Sequence, residues 1–291
     1  MTFLLCYLTN PALRTPTQTI NYIFKLQTQT TILNTTIGVY ELEHDHSPLN
    51  PRLTRIKEPC KVDPHVFREE VLQKSRIKDI LVDLLGPDVV LLQSKLNPKS
   101  PIGGKAIHWH QDWAFYPATN DSILALGLLL DDVTADNGAL QVIPGSHKGP
   151  VLSHISPEGY FCGAVSPDDP DFMKQRHKIK HLEGKAGSVT VHHVRLLHGS
   201  AANNSDKTRL VCFYEACASD SWPLMGGASP AHDMTQTQLC EDVRSRLVCG
   251  KPCYTPRMGP QETPVRLPLP PAPVGGSIFK TQESGGARSA F

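Results

Sequence analysis

The sequence predicts a mainly β protein, a sandwich or barrel of short strands with supporting helices, on three observations. Strand-like runs at 89–96, 123–130, 187–193 and 209–214 are separated by turn chemistry such as Asp136-Asn137-Gly138 and Asn203-Asn204-Ser205-Asp206. Long helical periodicity occurs once, so strands and helices do not alternate as βαβ units would. The chain has 291 residues, a length that single all-β domains approach.

Composition narrows the class. Lys+Arg is 29 against Asp+Glu 28, which gives no bias toward nucleic acid or anionic membranes as partners. No apolar run is long enough to span a bilayer. The eight cysteines include no Cys-x-x-Cys pair and are too sparse for a disulfide framework, which fits a reducing, cytoplasmic setting. Mitochondrial targeting stays open. The ending Arg288-Ser289-Ala290-Phe291 is no peroxisomal signal.

Three segments are expected: residues 1–45, poorly predictable; 46–258, the folded domain; and 259–291, a Pro-rich extended tail. No acidic residue precedes Glu41, and a strand is possible over 36–42. One helix should start at an Asp63 cap with Pro64 in its first turn. It runs through Phe67, Val71, Leu72, Ile77, Leu81 and Leu85 to Gly86-Pro87, its apolar stripe laid on the outside of a sheet. Strand 89–96 ends in a loop containing Pro98 and Pro101. Strand 123–130 is almost wholly apolar and should be covered on both faces. Asp136-Asn137-Gly138 reads as a hairpin turn into a strand over 139–143. Residues 148–181 read as a long loop of the kind that forms lids. Strand 187–193 and the return strand 209–214 follow. The tail carries Pro260, Pro264, Pro268, Pro270, Pro271 and Pro273, too many for a helix or a central strand.

Chemistry concentrates at residues 108–112, His-Trp-His-Gln-Asp. As a strand, this stretch puts His108, His110 and Asp112 on one face. His-x-Asp with one distant His is the set that holds Fe(II) by one face and leaves the opposite positions open. Alone, the motif is more often a polar surface strand. Candidates for the third ligand are His192, His193 and His198. His198 is best placed, because Arg209 follows it across a turn that would set both on neighbouring strands facing one pocket. A guanidinium there suits a carboxylate. His108 and His193 read first as hydrogen-bonded core or surface histidines, and Trp109, Trp113, Phe115 and Tyr116 as packing.

His110-Gln111-Asp112, the stretch from Asp136-Asn137-Gly138-Ala139-Leu140 to Pro144-Gly145-Ser146-His147, and His198-Gly199-Ser200 with Arg209 together resemble the phytanoyl-CoA dioxygenase family of Fe(II)- and 2-oxoglutarate-dependent oxygenases. The resemblance covers roughly residues 50–225. It implies a double-stranded β-helix, the jelly roll shared with cupins. It implies iron on His110, Asp112 and His198, and 2-oxoglutarate held by Arg209 and Ser200, with Gln111 and Lys95 lining its pocket. It further implies O2 as co-reactant, succinate and CO2 as products, and hydroxylation of a C–H bond in a small organic substrate. One departure stands out: many members carry a Trp where this chain has Gly127-Leu128.

Two other readings compete. A cupin-like binding protein without turnover would not need the full set His110, Asp112, His198 and Arg209. A halogenase would lack the carboxylate that Asp112 provides. Residues 148–181 and the tail would select the substrate, and the sequence does not name it.

Overall fold

Residues on alternate positions of eight strands build a sheet with one apolar and one polar-lined face, and a second sheet of four strands closes over the polar-lined side. The computed structural model describes residues 3–7, 40–43, 46–47, 52–224, 236–259 and 278–291. The strands are β1 (Phe3–Tyr7), β2 (Tyr40–Leu42), β3 (Leu53–Lys57), β4 (Val89–Lys99), β5 (Ile107–His110), β6 (Ile123–Leu129), β7 (Leu140–Val142), β8 (Lys180–Leu182), β9 (Ser188–His193), β10 (His198–Ser200), β11 (Arg209–Ala218) and β12 (Leu247–Cys249). The large sheet runs β1-β9-β6-β11-β4-β3-β2, with β12 also on β4; the small sheet runs β5-β10-β7-β8. All pairings are antiparallel. This is the expected jelly roll, mainly β with supporting helices.

The apolar face of the large sheet carries Leu96, Leu124, Leu126, Leu128, Val189, Val191, Leu210, Cys212 and Tyr214. Against it pack Phe67, Val71, Leu72, Ile77 and Leu81, the stripe read from the sequence. The helix is not continuous. A short α1 (Pro59–Val62) leads into a π-helix, Pro64–Gln73, whose first turn is capped by Asp63 accepting from the Val66 N–H, and α2 (Arg76–Leu85) starts afresh. Ser75 makes the break. Its hydroxyl donates back to the Val71 carbonyl at 2.5 Å and accepts from the Ile77 N–H at 3.1 Å, so one side chain ends a helix and caps the next.

Other expectations shift in instructive ways. β4 continues through Pro98, which pairs with Leu210 of β11; on its other edge, pairing with β3 stops at Leu96, so the missing N–H of Pro98 breaks no ladder there. Asp136-Asn137-Gly138 does turn, with Gly138 at φ 83°, but it is no hairpin: β6 belongs to the large sheet and β7 to the small one. The 148–181 stretch is partly regular, with α3 (Pro170–Gln175) and the first residues of β8. After β11, α4 (Gln236–Ser245) precedes β12. Of the strand expected over 36–42, residues 40–42 form β2, and 36–39 lie outside the described residues. The prolines from Pro260 to Pro273 also lie outside them; within the tail expected to be extended, Ile278–Ser284 forms α5. Among the described residues no helix is long and apolar enough to cross a membrane.

Candidate metal centre and its cavity

His110 ends β5, and its Cα partner across the sheet is His198, the first residue of β10. The chain then leaves the strand. Asp112 opens a 3-10 turn, Asp112–Ala114, held where the Trp113 N–H donates to the Val194 carbonyl at 2.9 Å. The expectation that Asp112 shares a strand face with His110 is therefore corrected: the turn, not strand alternation, brings the carboxylate round. One ligand atom from each of His110, Asp112 and His198 lies within 4.8 Å of the others, and all three residues are buried. The Nε2 atoms of His110 and His198 stand 3.6 and 3.8 Å from the Asp112 oxygens.

The local backbone fixes both imidazoles. His110 Nδ1 meets the His108 carbonyl and His198 Nδ1 the Leu196 carbonyl, each at 2.8 Å. A carbonyl only accepts, so Nδ1 carries the proton and Nε2 presents its lone pair to the centre. Burial, and then His110, push the His198 pKa well below its ordinary value, so the ring is neutral, the form a metal binds. Burial opposes ionisation of Asp112, but His198, His110 and His192 outweigh it and hold the carboxyl well below its usual range. A neutral-imidazole pair and a carboxylate form a donor set that fits Fe(II).

A cavity of ≈ 690 Å³ opens beside these groups. Its floor is the second face of the large sheet, read off at every other residue: Arg55 and Lys57 of β3; Gln93, Lys95, Asn97 and Lys99 of β4; Ala125 and Leu129 of β6; Thr190 and His192 of β9; Arg209, Val211, Phe213 and Glu215 of β11. Arg209 and Lys99 are direct cross-strand partners, two like charges side by side. Lys99 resolves this by donating to the Lys105, Ser200 and Ala201 carbonyls, and burial followed by Arg209 pushes its pKa well down. Arg209 donates to the Gly138 carbonyl at 2.5 Å, yet its buried Nε has no partner; burial lowers its pKa to about 10. A buried guanidinium with an unmet donor, facing a cavity, fits a ligand carboxylate.

Not every expected site residue reaches this cavity. His110, Asp112, His198, Ser200, Arg209 and Lys95 line it. Lys95 is paired with Glu215, which also takes Gln93. Gln111 does not line it, a correction: its side chain donates to the Pro150 and Arg195 carbonyls and accepts from the Leu152 N–H, holding the following loop instead. His198 and Arg209 lie in opposite sheets and face the cavity from two sides, not on neighbouring strands. His193 points to Asp121 and His147. His108 serves the centre through its carbonyl, while its ring stacks on Phe291. Trp109 and Trp113 are packing residues, whereas Phe115 and Tyr116 line the cavity.

Residues missed in the sequence include Arg55, Asn97, Lys99, Phe213 and Phe279. The signal for two of them was present, since Gln93, Lys95, Asn97 and Lys99 recur with period two inside an otherwise apolar run. Phe213 answers the absent Trp. A Cβ on Gly127 would sit 3.0 Å from Phe213 Cε1 and 2.8 Å from Thr190 Oγ1, so the neighbouring strands fill the space a side chain would take.

Comparison with known proteins agrees with this geometry. The family model of phytanoyl-CoA dioxygenase (PhyH) matches residues 40–211. A probable alpha-ketoglutarate-dependent hypophosphite dioxygenase of Stutzerimonas stutzeri is 36% identical over 249 residues, 84% of this chain and 81% of the relative. An ectoine dioxygenase of Sphingopyxis alaskensis is 31% identical over 143 residues, 44% of this chain and 46% of that protein. The crystal structure of EctD from S. alaskensis with bound Fe superposes with a TM-score of 0.59 at 23% identity, over 75% of this chain and 73% of that one, which shows a shared fold. By family match, fold and donor set, the chain belongs to the phytanoyl-CoA dioxygenase family and is an Fe(II)- and 2-oxoglutarate-dependent dioxygenase.

Proposed function

We propose that His110, Asp112 and His198 hold the iron, that Arg209 and Ser200 receive the distal carboxylate of 2-oxoglutarate, and that a small molecule in the same cavity is hydroxylated. The observation that carries this is one cavity holding both a His-Asp-His cluster within 4.8 Å and a buried guanidinium with an unmet donor.

When bound, iron with 2-oxoglutarate and O2 supplies oxidative decarboxylation to succinate and CO2 and the oxidising equivalent for one hydroxylation. The chain does the rest. The His108 and Leu196 carbonyls fix the ligand tautomers, and Asp112 stays ionised at neutral pH. Arg209 is the cationic group that orients the dicarboxylate, while the neighbouring Lys99 is held by three backbone carbonyls. Phe115, Phe161 and Phe279 give the cavity apolar walls.

The substrate bears either a C–H or a P–H bond. The P–H reading rests on 36% identity to the hypophosphite dioxygenase across 84% of this chain, hypophosphite carrying its reactive hydrogens on phosphorus. A reducing compartment such as the cytoplasm belongs to the proposal and is supported by seven free thiols among the described residues. The test is succinate formation by iron-loaded protein with 2-oxoglutarate, alone and with hypophosphite or a panel of small C–H substrates. Substrate-stimulated succinate is expected; no succinate under any condition refutes the reading.

A further inference from the structure

The cavity lining is unevenly charged. Arg55, Lys57, Lys95, Lys99 and Arg209 face only Asp112 and Glu215. Lys57 is paired with Glu41 at 2.8 Å and Lys95 with Glu215, while Lys99 is met by three carbonyls. Arg209 faces the cosubstrate in the proposed function. That leaves Arg55.

Arg55 is 6% exposed and lies on β3, which is separated by the single strand β4 from β11, the strand that carries Arg209. Its Nε donates to Asn97 Oδ1 at 3.2 Å, and its guanidinium carbon lies 5.2 Å from the ring centre of Phe279 on α5. These contacts fix the plane of the fork. Among the described residues no carboxylate lies within ion-pair distance of it, and its two terminal amino groups have no hydrogen-bond partner. Burial lowers its pKa; Glu41, its direct cross-strand partner on β2 and itself taken by Lys57, then Glu215 and Asp112, oppose this through space. A guanidinium held in plane in a cavity wall, with terminal donors that meet no protein acceptor among the described residues, suits an oxyanion.

We propose that Arg55 anchors an oxyanion of the primary substrate, so that this dioxygenase acts on a small anion held between Arg55 and the metal centre. This rests on the iron and 2-oxoglutarate reading above. The two carboxylates of 2-oxoglutarate are already accounted for by iron and Arg209, and the remaining positive charge in the lining is matched by one further anionic group. Tyr116 lines the same cavity, but its buried hydroxyl faces the Asp112 and Glu215 carboxylates. A phosphorus oxyanion and a carboxylate share the chemistry that Arg55 recognises.

The test is an anaerobic calorimetric titration of hypophosphite, and separately of acetate, into protein loaded with Fe(II) and 2-oxoglutarate. Wild type, Arg55→Gln and Arg55→Lys are compared. The visible charge-transfer band of iron-bound 2-oxoglutarate is recorded first. Wild type should bind at least one of the two anions, and whichever binds more tightly identifies the oxyanion type. Arg55→Gln should weaken that binding by at least about tenfold, as loss of charge-assisted hydrogen bonds requires. Its 2-oxoglutarate affinity should stay within about threefold, below one such bond. Arg55→Lys keeps the charge without the fork and should fall between the two; it serves as the measurement if Arg55→Gln does not fold. A wild type that shows the band but binds neither anion overturns the proposal. So does an Arg55 variant that loses 2-oxoglutarate affinity as strongly as anion affinity, which would place Arg55 on the cosubstrate. A wild type without the band overturns the dioxygenase reading itself, and the anchor with it.

Discussion

The backbone N–H of Gln111 donates to Nε2 of His154 at 2.9 Å, and the same imidazole meets the Leu152 carbonyl through Nδ1 at 2.9 Å. Leu152 in turn donates its N–H to the Gln111 side chain at 2.8 Å. Thus the residue between two metal-centre side chains is clamped to the loop after β7 by a neutral histidine with a single possible tautomer.

That clamp predicts a pH dependence. Burial lowers the His154 pKa from 6.5 to about 4. The unfolded chain takes up the proton first, so the stabilisation is present above pH 6.5 and is lost progressively as pH falls toward about 4. The loss is on the order of 3 kcal/mol across that window. His154→Phe should flatten this dependence and, by orphaning the Gln111 N–H, lower stability at pH 8 by about 1–3 kcal/mol. Urea unfolding of both proteins at pH 8 and pH 5 measures it; a variant as pH-sensitive as wild type would remove His154 from the account.

Metal binding should depend on three side chains and not on the third imidazole beside them, His192. His192 Nε2 lies 3.6 Å from Asp112, but both its ring nitrogens lack hydrogen-bond partners, so no carbonyl orients it. Ala at His110, Asp112 or His198 should abolish turnover and stoichiometric iron binding, whereas His192→Ala should keep substantial iron. Iron content after desalting decides, and normal iron with turnover in His198→Ala would reassign the third ligand.

Cosubstrate affinity should separate from iron affinity at Arg209. Arg209→Met leaves every metal-centre side chain in place but strands a carboxylate opposite a buried apolar group, a loss of about 2–5 kcal/mol. The apparent 2-oxoglutarate constant should therefore rise at least about 30-fold. Titration of 2-oxoglutarate into iron-loaded variant protein reads this directly, and near-normal affinity in a folded variant would take Arg209 out of the site.

Gly127 and Phe213 should be coupled. The Cβ of a Trp at 127 would stand 2.8 Å from Thr190 Oγ1, closer than Cβ atoms come, and a tight 3.0 Å from Phe213 Cε1, an overpacking cost of about 1–3 kcal/mol or more. Phe213→Ala should cost stability alone, yet should recover part of the loss in the Gly127→Trp protein, with a coupling of at least about 1 kcal/mol. Chemical unfolding of the four-protein cycle tests it; additive effects would mean that the two positions do not share this space.

The jelly roll and the cluster of His110, Asp112 and His198 were legible because their signals are local. Turn residues, apolar strands and the spacing His-x-Asp, His-Gly-Ser and Arg each report on a few neighbours in sequence. Alternation in β4 even marked the polar-lined face, although Lys95 was chosen from it and Lys99 passed over. Only the tertiary structure decided which sheet each strand joins. It placed His198 and Arg209 across the cavity from one another, sent Gln111 away from the cavity while Asp112 turned into it, and brought Arg55, Asn97 and Phe279 together from β3, β4 and α5. Those contacts join residues up to 224 positions apart in the chain, as with Arg55 and Phe279. A local pattern carries no record of such a partner, because burial and charge compensation are properties of the assembled cavity and not of any one strand.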